Sequence, residues 1–157
     1  MRLFLVIPSF VAAAVLSAAG AAAQAADASK SDSVVKIETN AGKPDTDGKQ
    51  VVTLTLTIDK GWHLYANPAP KDFPGVPVEV KVSGKTKPVS VKVDYPEGKE
   101  VKDATIGDYK VYEDKAEIKV TVQRAKGDGD PLDLAVKLQA CTDKKCLLPA
   151  TVKLSVP

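Results

Sequence analysis

Apolar and polar residues alternate in six separate stretches of this chain. In "QVVTLTLTID", at 50–59, Val52, Leu54, Leu56 and Ile58 point to one side and the threonines between them point to the other. The same period-two pattern recurs at 76–83, 88–95, 116–123, 132–140 and 151–156. Such alternation is typical of an antiparallel strand with one buried face, so it predicts a strand in each stretch.

Turn residues separate these stretches and indicate the fold class. Glycine and proline mark the breaks at 42–48, at Gly84, at 96–98 and in "KGDGDP" at 126–131. No window after the N-terminal segment has helical periodicity. We predict an all-β protein of seven to nine short antiparallel strands, an immunoglobulin-like β-sandwich, with a closed barrel as the alternative. The inter-sheet Cys…Trp…Cys arrangement of antibody domains is absent, because both cysteines lie in one segment.

The first residues of the chain have the features of a signal peptide. Arg2 is positive, an apolar stretch follows, and "AQA" at 23–25 fits an A-x-A cleavage site. The apolar stretch is shorter than the roughly 20 residues that span a bilayer, so an uncleaved anchor is the less favoured alternative. We expect a periplasmic protein with a signal peptide at 1–25, a flexible arm at 26–33 and one domain at 34–157, without membrane insertion after signal removal.

The charges are balanced and dispersed. The 157 residues include 22 Lys and Arg and 20 Asp and Glu, for a formal net charge of +2. Basic and acidic residues are interspersed rather than blocked, which argues against a nucleic-acid partner and against a polybasic membrane patch. The mature chain of about 130 residues is long enough for one domain with its own core, and we expect a monomer.

The only two cysteines lie close together in "ACTDKKCLLPAT", at 140–151, between the last two predicted strands. One interpretation of Cys141 and Cys146 is a structural staple. A disulfide closing this loop would stabilise the fold by roughly 2 kcal/mol, less than half the effect expected for a loop of 100 residues. A second interpretation is a metal site, but the single His63 and the two thiolates are one ligand short of a structural zinc set, and Asp143 is a doubtful fourth.

The third interpretation of the cysteine pair is a redox centre. Lys144 and Lys145 lie between the two cysteines and would favour the thiolate form electrostatically. A small disulfide ring on a loop is also easier to reach and reduce than a buried bridge. The chain has neither a C-x-x-C motif nor a βαβ pattern, so a redox pair here would be carried by a β scaffold. The residues alone leave the three interpretations open.

Three stretches of the chain, in order, resemble one known family. They are "KGWHLYANP" at 60–68, "YKVYEDKAEIKVTV" at 109–122 and "LQACTDKKCLLPATVKL" at 138–154, where a Leu-Gln-x-Cys step leads to a second cysteine followed by a proline. In these features the chain resembles the N-terminal periplasmic domain of the thiol:disulfide interchange protein DsbD. The resemblance extends from about residue 34 to the end of the chain.

The resemblance implies a fold and an activity. The family domain is an immunoglobulin-like sandwich whose two cysteines form a reversible disulfide, and it passes electrons between thioredoxin-fold proteins. Carried over, Cys141 and Cys146 are the redox pair and form the disulfide, and Cys146 is the sulfur that forms mixed disulfides. The resemblance implies no cofactor and no metal.

Residues around the pair also have counterparts in the family. His63 and Tyr65 match two tyrosines beside the family's cysteines, and an imidazole at His63 could tune a nearby thiol, although a satisfied polar residue at a strand edge is the alternative. The family shields its disulfide with a cap loop bearing an aromatic residue. That loop corresponds to about 102–107, where only Ile106, before Gly107, could lie over the sulfurs; Tyr109 is the nearest aromatic.

The family's transmembrane conduit and C-terminal thioredoxin-like domain have no counterpart before the chain ends at Pro157. We therefore expect a thiol:disulfide oxidoreductase whose partners are thioredoxin-fold periplasmic proteins or a separately encoded transmembrane reductase. The alternative is a non-catalytic exported β-sandwich that binds a partner and carries a local structural disulfide.

Overall fold

The computed structural model describes residues 29–157. The predicted signal peptide at 1–25 and the start of the predicted arm, 26–28, lie outside these residues. The described chain contains one short 3-10 helix, Ser31–Ser33, and eleven strands. In chain order the strands are β1 (Val35–Ala41), β2 (Lys49–Ile58), β3 (His63–Tyr65), β4 (Glu79–Gly84), β5 (Ser90–Asp94), β6 (Lys99–Val101), β7 (Tyr109–Glu113), β8 (Lys115–Gln123), β9 (Leu132–Leu138), β10 (Ala140–Cys141) and β11 (Ala150–Val156).

The strands form three antiparallel sheets. The first has the order β1-β2-β8-β5, the second β10-β3-β7-β6 and the third β11-β9-β4. This architecture is an immunoglobulin-like β-sandwich, so the predicted all-β fold class is confirmed. Within residues 29–157, no helix is both long and apolar enough to cross a membrane.

The alternating residues of the strands form one hydrophobic core. In β2, Leu54 and Leu56 have no exposed surface, and Leu54 pairs with Ile118 of β8, which is also fully buried. In the third sheet, Leu134 and Val136 of β9 face the same core. Complete burial of such a side chain stabilises the fold by about 1.5–3 kcal/mol, which explains why the apolar side of each strand faces inward.

The structure has more strands than the seven to nine that the alternation predicts. All six alternating stretches contain a strand, and the segment at 132–140 divides into β9 and β10. The additional strands include β3, β6 and β10, which are only two or three residues long. Alternation cannot be recognised over two or three residues, so such strands are visible only once their partners are known. Two of them, β3 and β10, carry the residues around the disulfide.

The described part of the predicted arm packs beside the cysteine loop. The Ser31 side chain has no exposed surface. Its hydroxyl donates a hydrogen bond to Leu148 O at 2.7 Å and accepts one from Ala140 N at 2.9 Å. The backbone N–H of Ser31 donates to the same Leu148 carbonyl at 2.9 Å. Ser31 thus links the two chain segments on either side of the cysteines by hydrogen bonds.

Candidate redox site

The two cysteines form a disulfide at the end of a short hairpin. Cys141 ends β10, Cys146 lies opposite it in an antiparallel bridge, and their Cα atoms are 4.0 Å apart. The turn between them, 142–145, is organised by Thr142. Its backbone N–H donates to Lys145 O at 2.8 Å, and its hydroxyl accepts bonds from two backbone N–H groups of the turn. A threonine hydroxyl often closes a turn in this way, so this sequence brings the two sulfurs together without a glycine.

The two cysteines differ sharply in exposure. Only 1% of Cys141 is exposed. Cys146 follows the turn and is exposed. A thiolate must approach a disulfide sulfur directly to attack it, and of the two cysteines Cys146 is the exposed residue.

Strand β3 places two polar aromatic side chains on the face that carries the disulfide. Leu64 is fully buried in the core, so its neighbours His63 and Tyr65 point to the opposite face of the sheet. His63 pairs with Cys141 of β10 on one side and with Glu113 of β7 on the other. Directly opposed residues of antiparallel strands have side chains on the same face, with Cβ atoms about 4.5–5.5 Å apart. Cys141, His63 and Glu113 therefore form a row across this face.

Three aromatic rings pack against one another, and one of them, Tyr65, contacts Cys146; we call Tyr65, Phe73 and Tyr109 the aromatic cluster. The Tyr65 hydroxyl lies 3.8 Å from Cys146 Sγ. The Tyr65 ring centroid is 4.8 Å from that of Phe73 and 5.7 Å from that of Tyr109, both in edge-to-face geometry. Each such pair stabilises by about 0.5–1.5 kcal/mol beyond the burial of its area. Burial raises the pKa of the Tyr65 hydroxyl, which keeps it protonated as a donor toward the sulfur.

Phe73 is the member of the cluster that the sequence analysis did not identify. It belongs to the loop between β3 and β4, and its ring centroid lies 5.4 Å from that of Tyr109. Gly75 makes this packing possible, because a Cβ there would lie 2.5 Å from Tyr65 Cε2 and 2.6 Å from Phe73 Cε1. The available signal was that Phe73 is the only phenylalanine after the predicted signal peptide and lies in a loop where a core aromatic is not expected.

The predicted cap loop at 102–107 is held in its conformation by hydrogen bonds between its own residues. Asp103 accepts hydrogen bonds through Oδ1 from the N–H groups of Thr105 and Ile106, at 2.7 and 3.1 Å. Ile106 is 42% exposed. Gly107 has a positive φ of 82°, which a glycine adopts without steric cost. Tyr109, the aromatic residue nearest to this loop in the sequence, begins β7 and joins the aromatic cluster.

His63 lies beside an open acidic cavity of about 270 Å³. The cavity is lined by His63, Gly61, Trp62, Glu113, Asp114 and Asp143. Burial lowers the pKa of His63, while the negative charges of Asp143 and Glu113 act in the opposite direction. The net shift is downward, so the imidazole is predominantly neutral near pH 7.

The two lysines of the turn are exposed and differ in their contacts. Lys145 Nζ lies 5.7 Å from the centre of the Trp62 ring, a distance suited to a cation–π interaction. Trp62 is half-buried and packs against the core, so it is a fixed support for that lysine. Lys144 is directed to solvent. The structure thus brings Cys141, Cys146, His63, Tyr65 and Tyr109 together on one face, with Lys144 and Lys145 in the turn above it.

Comparison with known protein families gives one match over nearly the whole described chain. A family model for the N-terminal region of the thiol:disulfide interchange protein DsbD matches residues 27–156. No curated protein sequence matches the chain significantly.

Several solved structures are similar in fold. The reduced N-terminal domain of DsbD from Neisseria meningitidis is 18% identical, with a TM-score of 0.51 over 75% of this chain and 82% of its own. The complex of the DsbD and PilB N-terminal domains from the same bacterium gives 17% identity and a TM-score of 0.51, over 76% and 80%. The N-terminal periplasmic domain of ScsB from Proteus mirabilis is 19% identical, with a TM-score of 0.58 over 77% of this chain and 46% of its own. At these identities the likeness shows the fold alone.

Proposed function

The chain belongs to the family of the N-terminal domain of the thiol:disulfide interchange protein DsbD, and from this membership we propose that it relays electrons between thioredoxin-fold proteins in the periplasm. The carrier is the Cys141–Cys146 pair, as dithiol or disulfide. The observation that carries the proposal is the difference in exposure between the two cysteine residues of one bridge, with Cys141 1% exposed and Cys146 exposed to solvent. A staple needs no accessible sulfur, whereas a relay needs one.

The reaction proceeds through a mixed disulfide. In the reduced protein, the Cys146 thiolate attacks one sulfur of a partner disulfide, and that bond breaks with its electron pair leaving on the partner's other sulfur. Cys141 then attacks Cys146 Sγ, the bond to the partner breaks, and the second partner thiolate departs. The chain has become a disulfide and the partner a dithiol. Reduction of the chain is the reverse sequence, and neither direction requires a cofactor.

The surroundings of Cys146 fit this chemistry. The positive charges of Lys144 and Lys145 favour the thiolate over the thiol. The Tyr65 hydroxyl at 3.8 Å offers a hydrogen bond to the Cys146 sulfur. We assign to Phe73 the shielding role expected of the loop at 102–107, because Phe73 packs on the ring whose hydroxyl contacts Cys146.

We infer the class of partner from the family to which the chain belongs. The solved complex of a DsbD N-terminal domain with a PilB N-terminal domain shows that a domain of this fold docks another protein. For this chain we propose thioredoxin-fold proteins of the periplasm, or a separately encoded transmembrane reductase, as donor and acceptor. The exposed Cys146 and the aromatic cluster beside it would form the contact.

Trapping of the mixed disulfide tests the proposal. The Cys141→Ala variant keeps the accessible Cys146 but lacks the sulfur that resolves the intermediate, so it should accumulate a covalent complex with a thioredoxin-fold protein in periplasmic extracts. The Cys146→Ala variant should trap much less, because Cys141 is enclosed. Non-reducing gels with mass spectrometry identify the partner, and the double variant is the control. If neither single variant traps a thioredoxin-fold protein, the non-catalytic binding module is favoured instead.

A further inference from the structure

Cys141 is the sulfur whose protonation must change inside the protein. Only 1% of it is exposed, so water cannot solvate a thiolate there as it does at Cys146. Yet each round of exchange requires Cys141 to become a nucleophile, or to leave as a thiolate when the bridge is reduced. A buried thiolate is costly unless a nearby group takes up or supplies its proton. The question is which side chain beside Cys141 can do this near neutral pH.

Among the side chains near Cys141, one is suited to exchange a proton with its sulfur near neutral pH. Glu113 lies on β7, on the far side of His63 from Cys141 in this row, and Asp143 lies in the turn between the cysteines. Tyr65 is unsuitable as a base at neutral pH, because burial raises the pKa of its hydroxyl further. His63 is the only histidine of the chain and is the direct cross-strand partner of Cys141. Imidazole is the side chain that gains and loses a proton between about pH 5 and pH 8.

We propose that His63 is the acid–base residue for Cys141, an inference that rests on the proposed exchange function. In the oxidation direction, the neutral imidazole takes the proton from the Cys141 thiol as that sulfur attacks Cys146 Sγ, and the partner's thiolate leaves. In the reduction direction, a partner thiolate attacks Cys146 Sγ and the Cys141–Cys146 bond breaks. The imidazolium then returns its proton to the departing Cys141 sulfur. Atoms and charge balance in both directions.

The surroundings of His63 suit both states of the imidazole. Burial disfavours the charged ring and keeps it ready to accept a proton, while Glu113 from β7 and Asp143 from the turn stabilise the imidazolium once it forms. Asp114 lines the same cavity, Lys145 extends from the same turn as Asp143, and the Tyr65 ring lies 5.8 Å from the imidazole. The cavity is open, so the proton can exchange with solvent between rounds.

The two half-reactions can be separated with Ellman's reagent, a chromogenic aromatic disulfide. Mixed with the reduced full-length mature protein, it releases one coloured thiolate when Cys146 attacks and a second when Cys141 resolves the mixed disulfide. We expect His63→Phe to leave the first phase unchanged and to slow the second phase roughly 100-fold near pH 7, within the range of a positioned acid–base group. The second phase of the variant should approach that of the wild type near pH 10, where hydroxide removes the thiol proton.

Two controls distinguish proton transfer from a packing effect. Trp62→Phe changes a ring that lines the same cavity but carries no exchangeable acid–base proton. Whatever it does to the first phase through Lys145, it should leave the second phase near the wild-type rate. Added imidazole should accelerate the second phase of His63→Ala, because the vacated space adjoins the open cavity, and should not accelerate that of the wild type. A second phase of His63→Phe that equals the wild-type rate near pH 7 overturns the proposal.

A spectroscopic measurement on the unmodified protein gives an independent answer. With one histidine in the chain, the imidazole proton resonance is unambiguous in a one-dimensional NMR titration. If His63 shares a proton with Cys141, its pKa must differ between the dithiol and disulfide forms. Identical titration curves in the two forms contradict the proposal. Neither measurement needs the physiological partner, so failure to trap a partner and failure of the His63 role are separate outcomes.

Discussion

At the scale of single residues, Phe73 packs edge-to-face on Tyr65, the ring whose hydroxyl contacts Cys146. We predict that Phe73→Ala makes the disulfide react faster with a small thiol such as dithiothreitol, by a few-fold, because Tyr65 loses its edge-to-face neighbour at 4.8 Å. Ile106→Ala, in the loop at 102–107, should change the rate much less, since Ile106 is already 42% exposed. The rate is followed by quenched alkylation. A larger effect of Ile106→Ala than of Phe73→Ala would show that the loop at 102–107, and not Phe73, shields the disulfide.

His63 should also link stability to pH. Its pKa in the folded protein is lowered by burial, so between about pH 7 and pH 5 the unfolded chain binds a proton more readily than the folded one. Acidification through this range therefore removes stability that is present above about pH 6.5. We predict that the wild type loses more free energy of unfolding than His63→Phe between these pH values, measured by urea denaturation. Equal losses in the two proteins would show that burial does not disfavour the imidazolium.

The residues of the site differ in how far the sequence reveals them. Cys141 could be assigned as the enclosed cysteine, because it follows a strand pattern. The choice of Cys146 as the reactive cysteine came from the family resemblance. His63 and Tyr65 were identified only through the family resemblance. Phe73 could not be found, because its contact with Tyr65 depends on the path of a loop and on the space above Gly75, neither of which leaves a periodic signal.

At the scale of elements, the short segment around Ser31 holds the cysteine loop in place. Its hydroxyl bonds both to Ala140 N, just before Cys141, and to Leu148 O, just after Cys146. Ser31→Ala would leave the buried Ala140 N–H without its acceptor, at a cost of about 1–3 kcal/mol. We predict a loss of stability of this size by chemical denaturation, with faster hydrogen exchange at residues 140–148. Ser33→Ala is the matched control, because the Ser33 hydroxyl bonds only to the nearby Lys30 O at 2.7 Å; an equal loss in both variants would contradict the linking role.

The long strands could be predicted and the short ones could not. Each of the six alternating stretches contains a strand, since burial of one face imposes a period of two over many residues. β3 and β10 contribute three and two residues and owe their conformation to their neighbours in the sheet. The site is built mainly on these two strands. The sequence was therefore enough to identify the two cysteines, but the arrangement of the residues around them could be seen only in the structure.

At the scale of the whole molecule, a buried polar network lies near the start of β2 in the first sheet, whereas Cys141 lies in the second sheet. Arg124, 1% exposed, donates to Gln50 Oε1 at 2.8 Å and to the Asp130 carbonyl. Gln50 is the second residue of β2 and His63 follows the far end of that strand, so the two regions are separated by roughly 25 Å of strand.

This separation predicts that stability and redox chemistry can be changed independently. Arg124→Met would leave buried acceptors without donors, and we expect a loss of about 1–3 kcal/mol for each of them. The reduction potential of the cysteine pair should not change, because sites this far apart behave additively. Chemical denaturation and a redox titration of the same variant measure both quantities. A shifted reduction potential in a variant that keeps its fold would mean that the Arg124 network and the cysteine pair are coupled.

The reduction potential of the Cys141–Cys146 pair tests the relay most directly. Purified mature protein is equilibrated in thiol–disulfide buffers of defined potential, and the fraction of free thiol is measured by alkylation and mass. A relay that exchanges electrons with thioredoxin-fold proteins must be poised near them, so we predict a value between about −270 and −120 mV. A structural staple resists cellular reductants and has a potential below about −300 mV. A measured value below that limit would contradict the relay and leave the disulfide a structural feature of a binding module.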